Sequence, residues 1–102
     1  MTFDYIIVGG GSAGCVLANR LTEDPAMTVL LLEAGPKNTK LEVAIPGGYP
    51  KLHHSSVDWN CYWTEPQAFL HNRKIYHPRG KVLGGSSSTN AMAYVRGHAA
   101  DY

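Results

Sequence analysis

The sequence predicts an α/β fold that begins with one βαβ unit. Two short segments, residues 3–8 and 28–32, are almost continuously apolar, as is typical of parallel strands covered on both faces. A segment with helical spacing of apolar residues lies between them, and a glycine run joins it to the first segment. Strand, glycine turn, helix and strand within about 30 residues form a βαβ unit, whose strands we expect to be parallel neighbours with a right-handed crossover.

Each element of the unit has a sequence signal. The first strand, residues 3–8, ends at the glycine run 9–11, and the helix is predicted over about residues 12–21. The helix has apolar side chains on one face: Ala13, Val16, Leu17 and Leu21. Pro25 cannot continue a helix, so the helix ends before it. The second strand, residues 28–32, is closed by the segment 33–36, which contains glycine and proline.

The pattern changes after the βαβ unit. Residues 37–79 show no long periodic segment and contain recurring prolines, which predicts an irregular excursion. Aromatic residues cluster in this segment at Trp59, Tyr62 and Trp63. A glycine pair and a serine cluster then follow at residues 84–88, which resembles a turn into a helix N-terminus. We expect that helix to include the apolar residues of 91–95 and to end at Gly97.

Length and charge limit the class of protein. The 102 residues leave room for one domain at most, and the net charge of +1 gives no electrostatic case for binding nucleic acid or an anionic membrane. No basic segment precedes the apolar N-terminus, which is also too short to span a bilayer, so a cytoplasmic chain without a transmembrane segment is expected. Cys15 and Cys61 form no disulfide framework and no metal motif, and we expect ordinary buried or half-buried thiols.

Gly9-x-Gly11-x-x-Gly14 follows the first strand and opens the helix, which is where a dinucleotide-binding site needs it. Gly9 permits a tight turn, Gly11 lets the backbone approach a pyrophosphate, and Gly14 lets the helix pack close to the strand. The phosphates would meet the free N–H groups of the helix that starts near Ser12. The alternative is a glycine-rich turn that binds no ligand.

Glu33 ends the second strand nineteen positions after Gly14, which matches the acidic residue that holds a ribose diol and disfavours NADP. A solvated carboxylate is the alternative. These features do not separate FAD from NAD. The second glycine cluster, Gly84-Gly85-Ser86-Ser87, favours an extended dinucleotide, but a serine N-cap would explain it as well.

These motifs together resemble the N-terminus of the glucose–methanol–choline (GMC) oxidoreductases, and most closely the bacterial choline dehydrogenase and alcohol dehydrogenase branch. The resemblance extends over essentially the whole chain, and the segments that carry it are 3–20, 31–35, 64–66, 78–90 and 94–97. The resemblance implies the N-terminal part of a Rossmann-like FAD-binding domain, with the βαβ unit at 3–33, the excursion at 37–79 and a second cofactor motif at 80–97. It also implies hydride transfer from an alcohol to FAD.

The family pattern also implies roles for single residues. Arg79 and the glycine–serine motif would lie along the cofactor, with Asn90 nearer the flavin ring. Some members carry a covalent flavin bond on histidine at this position, so asparagine implies non-covalent FAD. Thr89 stands where an aliphatic residue is usual. The candidate cofactor-binding residues are Gly9, Gly11, Ser12, Ala13, Gly14, Glu33, Ala34, Arg79, Gly84, Gly85, Ser87 and Asn90.

No catalytic residue is assigned within the 102 residues. The five histidines show no metal or triad spacing, and the family's general base is a histidine late in a chain several times this length. The expected partners are an alcohol substrate and the remainder of the chain, and a fragment alone is predicted to be marginally stable and inactive. A stand-alone nucleotide-binding module and an NAD-dependent enzyme are the alternatives.

Overall fold

The computed structural model describes residues 2–101. It contains β1 (Tyr5–Val8), α1 (Ser12–Leu21), β2 (Val29–Leu32) and α2 (Leu41–Ala44). Four short 3₁₀ helices complete the secondary structure: Pro46–Leu52, Ala68–Leu70, Gly85–Ser88 and Ala99–Asp101.

The predicted βαβ unit is present. β1 and β2 pair in parallel, with Tyr5 opposite Val29 and Val8 opposite Leu32. Both strands begin later than predicted because Asp4 and Thr28 form a local clasp. The Asp4 carboxylate accepts hydrogen bonds from the Thr28 N–H at 2.8 Å and from the Thr28 hydroxyl at 2.7 Å.

Both strands leave apolar side chains uncovered within the described residues, although their composition is typical of strands covered on both faces. Ile7 is the buried residue of β1, whereas Ile6 and Val8 are 61% and 84% exposed. α1 contacts both strands and the 3₁₀ helix Gly85–Ser88. The strands have the composition of interior strands, but within residues 2–101 they form a two-stranded sheet.

The helix α1 has the predicted bounds. It begins after Gly11 and ends at Leu21, where the Thr22 hydroxyl donates to the Ala18 carbonyl at 2.8 Å. Such a hydrogen bond satisfies a carbonyl that the helix leaves unpaired at its end.

The excursion has more structure than its sequence predicts. α2 packs on the 3₁₀ helix Pro46–Leu52, whose first residue is a proline. Antiparallel bridges then join Asp58 to Gly80, Trp63 to Tyr76 and Gln67 to Arg73. Pairings between residues this far apart leave no periodicity in the sequence, so a pattern search does not detect them.

The prediction of a helix over residues 91–95 is wrong. The glycine–serine turn continues into the 3₁₀ helix Gly85–Ser88, and residues 89–98 have no regular structure beyond a turn. The Asn90 side-chain oxygen accepts the Met92 N–H at 2.8 Å, and Met92 has a φ of 56°. A helix needs an apolar face to pack, and Tyr94 and Val95 are 96% and 86% exposed.

A small apolar core lies away from the sheet. It consists of Leu52, Val57 and Val82, with Val43 packed against it. This core joins the excursion to the segment that carries the second glycine motif. The two cysteines, expected to be buried or half-buried, are exposed instead, because neither belongs to this core.

Candidate cofactor site

The first glycine turn follows β1 directly. Gly9 has a φ of 101°, which a side chain rarely allows, and its N–H donates to the Leu32 carbonyl at 2.7 Å. A Cβ at Gly11 would meet no atom within 4 Å, whereas a Cβ at Gly14 would overlap the Gly9 carbonyl oxygen. The turn therefore leaves open space at Gly11 and packs the helix closely at Gly14.

The N-terminus of α1 faces this turn. Its N-cap is Gly11, which offers no side-chain acceptor to the first N–H groups of the helix. Ser12 and Ala13 occupy the first turn and are exposed. N–H groups in this position, together with the positive end of the helix dipole, attract an anion such as a pyrophosphate.

The Glu33 carboxylate connects two backbone turns. One oxygen accepts the Gly10 N–H at 2.7 Å, and the other accepts the Gly35 N–H at 2.8 Å. Glu33 is thus fixed at the end of β2 and is not the freely solvated carboxylate of the alternative interpretation. A carboxylate has about four acceptor positions, so two hydrogen bonds leave capacity for the ribose hydroxyls expected from the sequence.

The second glycine motif contacts the first. The Gly84 N–H donates to the Gly10 carbonyl at 2.7 Å, and Gly84 has a φ of 96°. A Cβ at Gly85 would lie 3.0 Å from the Gly11 Cα, which is closer than side chains normally pack. The two motifs, about seventy residues apart in sequence, form one continuous backbone surface.

A cleft of about 470 Å³ opens between the two motifs. We call it the cofactor cleft. Its lining comes from the end of the sheet, both glycine motifs and the excursion: Val8, Gly9, Gly11, Leu32, Glu33, Ala34, Trp59, Gly80 and Gly85. Five of the predicted cofactor-binding residues are in this lining: Gly9, Gly11, Glu33, Ala34 and Gly85. Gly14 is buried beneath the turn.

Three predicted residues line other clefts. Arg79 and Asn90 lie in a cleft of about 310 Å³, and Asn90 and Ser87 line one of about 160 Å³. Each polar side chain bonds to nearby backbone. The Arg79 guanidinium donates to the Pro78 carbonyl at 2.9 Å, and the Ser87 hydroxyl donates to the Gly84 carbonyl at 2.6 Å.

Sequence reasoning missed the buried residue Asp58, which is 5% exposed. Its carboxylate accepts hydrogen bonds from the Tyr76 hydroxyl, from the His54 N–H at 2.9 Å and from the Arg79 N–H at 3.2 Å. We call these four residues the Asp58 cluster. It holds the two sides of the excursion together next to Trp59 and Gly80. The sequence offers only a weak local signal for this cluster, an Asp next to residues that favour turns. Tyr76 and Arg79, which donate to Asp58, are distant from it in sequence.

The Asp58 cluster changes two pKa values. Burial opposes ionisation of Asp58, but the hydrogen bonds from the Tyr76 hydroxyl and from three backbone N–H groups outweigh it and lower the pKa of Asp58 below its usual value. These N–H groups belong to His54, Arg79 and Asn60. Burial and the hydrogen bond to Asp58 raise the pKa of Tyr76 to about 12. The cluster is therefore a carboxylate paired with a neutral phenol over the usual pH range.

Residues 2–101 bring together no group of three His, Cys, Asp or Glu side chains suited to a metal ion. They also contain no helix that is long and apolar enough to cross a membrane.

Comparison with known proteins gives one family. The model of the GMC oxidoreductase family matches residues 3–102. An alcohol dehydrogenase [acceptor] of Pseudomonas putida is 55% identical over 101 residues, and human mitochondrial choline dehydrogenase is 54% identical over 108 residues. An uncharacterized GMC-type oxidoreductase of Mycobacterium tuberculosis is 58% identical over 99 residues.

Solved structures agree with this result. The crystal structure of pyridoxine 4-oxidase from Mesorbium loti superposes with a TM-score of 0.91 at 48% identity, and that of a formate oxidase with a TM-score of 0.83 at 43% identity. The alignments cover 96–98% of this chain but 18–19% of each of those chains. The three sequence relatives are likewise covered over 18–19% of their length, against 97–98% of this chain.

Proposed function

The chain belongs to the GMC oxidoreductase family, and on that premise we propose that it is the FAD-binding segment of an enzyme that oxidises an alcohol. The contact between the two glycine motifs carries the proposal. It forms a continuous backbone cradle beside a helix N-terminus and a fixed carboxylate, Glu33. This set of groups suits a long dianionic dinucleotide better than a mononucleotide.

The residues present fit FAD. The open space at Gly11 admits the pyrophosphate, and the N–H groups at the start of α1 supply hydrogen-bond donors for it. Glu33 stands at the carboxyl end of β2, where a ribose diol binds in folds of this type. Two proteins of similar fold are associated with FAD: a formate oxidase of Aspergillus oryzae, in which FAD is modified, and an FAD-dependent oxidoreductase of Chaetomium thermophilum.

The proposed reaction removes a hydride from the carbon and a proton from the hydroxyl of an alcohol CH–OH group, which gives an aldehyde or ketone. The proton goes to a general base that the family resemblance places outside these 102 residues. When bound, FAD supplies the ring that accepts the hydride. The residues of this chain bind and orient the cofactor, and the Glu33 carboxylate keeps the Gly10 turn in place while doing so. We assign no proton transfer to any of its five histidines, none of which belongs to a metal or triad pattern. A small-molecule alcohol of the choline or simple alcohol type is proposed from the names of the relatives.

We propose that FAD is held without a covalent bond to this chain. Asn90 stands where some family members have the histidine that bonds to the flavin, and an amide cannot form that bond. The bound flavin should therefore leave the protein on denaturation. Flavin that stays with the denatured polypeptide would contradict the proposal.

A chimera tests the proposed function in a complete enzyme. Residues 3–102 replace the matching segment of the Pseudomonas putida alcohol dehydrogenase, which is 55% identical over 101 residues. We expect the purified chimera to carry FAD and to oxidise the alcohols that the parent enzyme oxidises. A folded chimera that binds NAD and no flavin would reject the proposal. One that binds FAD without alcohol oxidation would favour a nucleotide-binding role.

A further inference from the structure

Trp59 is the one aromatic residue in the lining of the cofactor cleft within residues 2–101. The rest of that lining is glycine, aliphatic side chains and Glu33. The side chain is 41% exposed, although an indole of this size is usually covered in a folded protein. The large flat indole of Trp59 is therefore accessible to a ligand, beside a site that suits a nucleotide.

The position of Trp59 is fixed from several sides. Its backbone N–H donates to the Arg79 carbonyl at 3.0 Å, and its neighbour Asp58 pairs with Gly80 and anchors the Asp58 cluster. The Lys81 ammonium lies over the indole, 5.0 Å from the ring centroid. A cation on one face of the ring favours this orientation and leaves the opposite face for a planar ligand.

We propose that Trp59 is the surface on which the adenine of the bound dinucleotide stacks. The inference rests on the proposed function and concerns one residue of the cleft lining, Trp59. Adenine is the expected partner, not the flavin ring, because Trp59 shares its cleft with Glu33 and Ala34 at the carboxyl end of β2. Asn90, which is expected to be nearer the flavin ring, lines a different cleft.

The chain offers a direct optical test, because it has two tryptophans, Trp59 and Trp63. Trp63 is 53% exposed, packs on Tyr76 at 5.0 Å between ring centroids and does not line the cofactor cleft. Trp63→Phe leaves Trp59 as the sole emitter, and Trp59→Phe leaves Trp63. The probe is ADP, which has the adenosine and pyrophosphate of FAD but no isoalloxazine.

We expect ADP to quench the tryptophan emission of Trp63→Phe and to leave that of Trp59→Phe nearly unchanged. Trp59→Leu should weaken ADP binding by roughly 5- to 150-fold, the range measured when an aromatic residue that stacks on a base is removed. Trp63→Leu serves as the matched control and should bind ADP as the unaltered chain does.

Two results would overturn the inference, and they differ in what else they reject. If Trp59→Leu and Trp63→Leu bind ADP equally well, Trp59 is not the stacking surface and the proposed function stands. If neither the chain nor the chimera binds ADP or FAD, the proposed function fails as well.

The chimera supplies a second measurement that does not depend on the 102-residue chain folding alone. FAD is removed from the chimera, and binding of FAD and of FMN to the apoprotein is measured by calorimetry. Trp59→Leu should weaken FAD binding by a factor similar to that for ADP and leave FMN binding unchanged, because FMN has no adenine. Equal losses for both ligands would indicate a general distortion and overturn the stacking role.

Discussion

Asp58 is a buried carboxylate that accepts hydrogen bonds from backbone N–H groups and from the Tyr76 phenol. It pairs with Gly80 in an antiparallel bridge and precedes Trp59, and Gly80 and Trp59 both line the cofactor cleft. A buried charge is stable only where donors replace water, and the Asp58 cluster supplies three such donors. The shape of the cleft on this side therefore depends on one carboxylate that sequence patterns do not reveal.

Asp58→Asn should destabilise the chimera by about 1–3 kcal/mol, because the amide places a donor among groups that already donate. Urea unfolding monitored by circular dichroism measures the loss. Glu65→Gln is the matched control, since Glu65 is exposed and should change the unfolding free energy by less than about 0.5 kcal/mol. Equal effects of the two substitutions would show that the cluster contributes nothing.

The raised pKa of Tyr76 predicts a stability loss at alkaline pH. In the unfolded chain the phenol ionises near pH 10, and in the folded chain at about 12. The folded state therefore holds the proton more tightly, so this contribution is complete below pH 10 and disappears as the pH rises from about 10 to about 12.

The comparison that measures this effect is the unfolding free energy of the chimera and of its Tyr76→Phe variant at a series of pH values. The difference between the two should shrink across that window. A constant difference up to pH 12 would contradict the assignment. The lowered pKa of Asp58 acts in the opposite range, where its contribution is lost as the pH falls below about 4 and through its folded value.

The glycines of the first turn should separate binding from folding. Gly11→Ala adds a methyl group to open space, so the chimera should fold normally. The methyl group should keep the pyrophosphate from approaching the backbone. We therefore expect the FAD affinity to fall by roughly tenfold or more, as when a hydrogen bond to a charged group is lost. Gly14→Ala should destabilise the fold itself, because the methyl group overlaps the Gly9 carbonyl oxygen.

Thermal unfolding and flavin content, measured on both variants, distinguish the two effects. Gly47→Ala controls for the general effect of the substitution, since a Cβ there would also meet nothing within 4 Å and Gly47 is outside the cleft. A Gly11→Ala variant with full FAD affinity would remove Gly11 from the proposed site.

At the scale of elements, the Glu33 carboxylate links the turn after β1 to the turn after β2. Glu33→Gln retains one acceptor and directs an amide N–H toward one of the two backbone donors. We expect FAD binding to weaken by roughly tenfold or more and the chimera to lose about 1–3 kcal/mol of stability.

Flavin content and urea unfolding measure the two losses. Glu23→Gln is the control, because Glu23 makes an exposed ion pair with Arg20, and such pairs contribute little. Unchanged FAD binding in Glu33→Gln would leave Glu33 with a structural role alone.

The elements that could be predicted are those whose signal is local. The bounds of α1 follow from helical periodicity between a glycine and a proline, and the strands follow from short apolar runs. The Trp63–Tyr76 pairing could not be predicted, because it joins residues thirteen positions apart through backbone groups that every residue has. The helix expected at 91–95 failed because its apolar residues have no surface to pack on in the described chain.

The same distinction holds for the candidate site. The conformations of Gly9 and Gly14 could be predicted, because each depends on its own turn. The contact between Gly84 and Gly10 could not, since spacing alone does not tell where a distant motif folds back. Trp59 was identified in the sequence as one of an aromatic group, and the structure places it in the cleft.

At the scale of the whole molecule, residues 2–101 form an open shape. The radius of gyration is 17.0 Å, whereas a compact domain of this length has about 13 Å. The accessible surface is 7895 Å², against roughly 5,700 Å² for a monomer of this mass. The excess includes apolar side chains of both strands, such as Ile6 and Val8.

We therefore expect the 102-residue chain, made by itself, to bind an environment-sensitive apolar dye, to associate in sedimentation experiments and to oxidise no alcohol. Exposed apolar area of this kind drives association in solution. The chimera, measured in parallel, should not bind the dye, because we expect the remainder of the Pseudomonas putida enzyme to cover these faces. A monomeric 102-residue chain with a cooperative melt and stoichiometric FAD would contradict the prediction.

The hydrogen bond from Gly84 to Gly10 also has a consequence for the order of events during synthesis. The first glycine turn leaves the ribosome 74 residues before its partner does. At about 5–20 residues per second, that interval is roughly 4–15 seconds. A nascent chain thus has its first glycine turn well before it has the backbone of the second motif, so stable uptake of a cofactor at the proposed site should begin after the second motif has emerged.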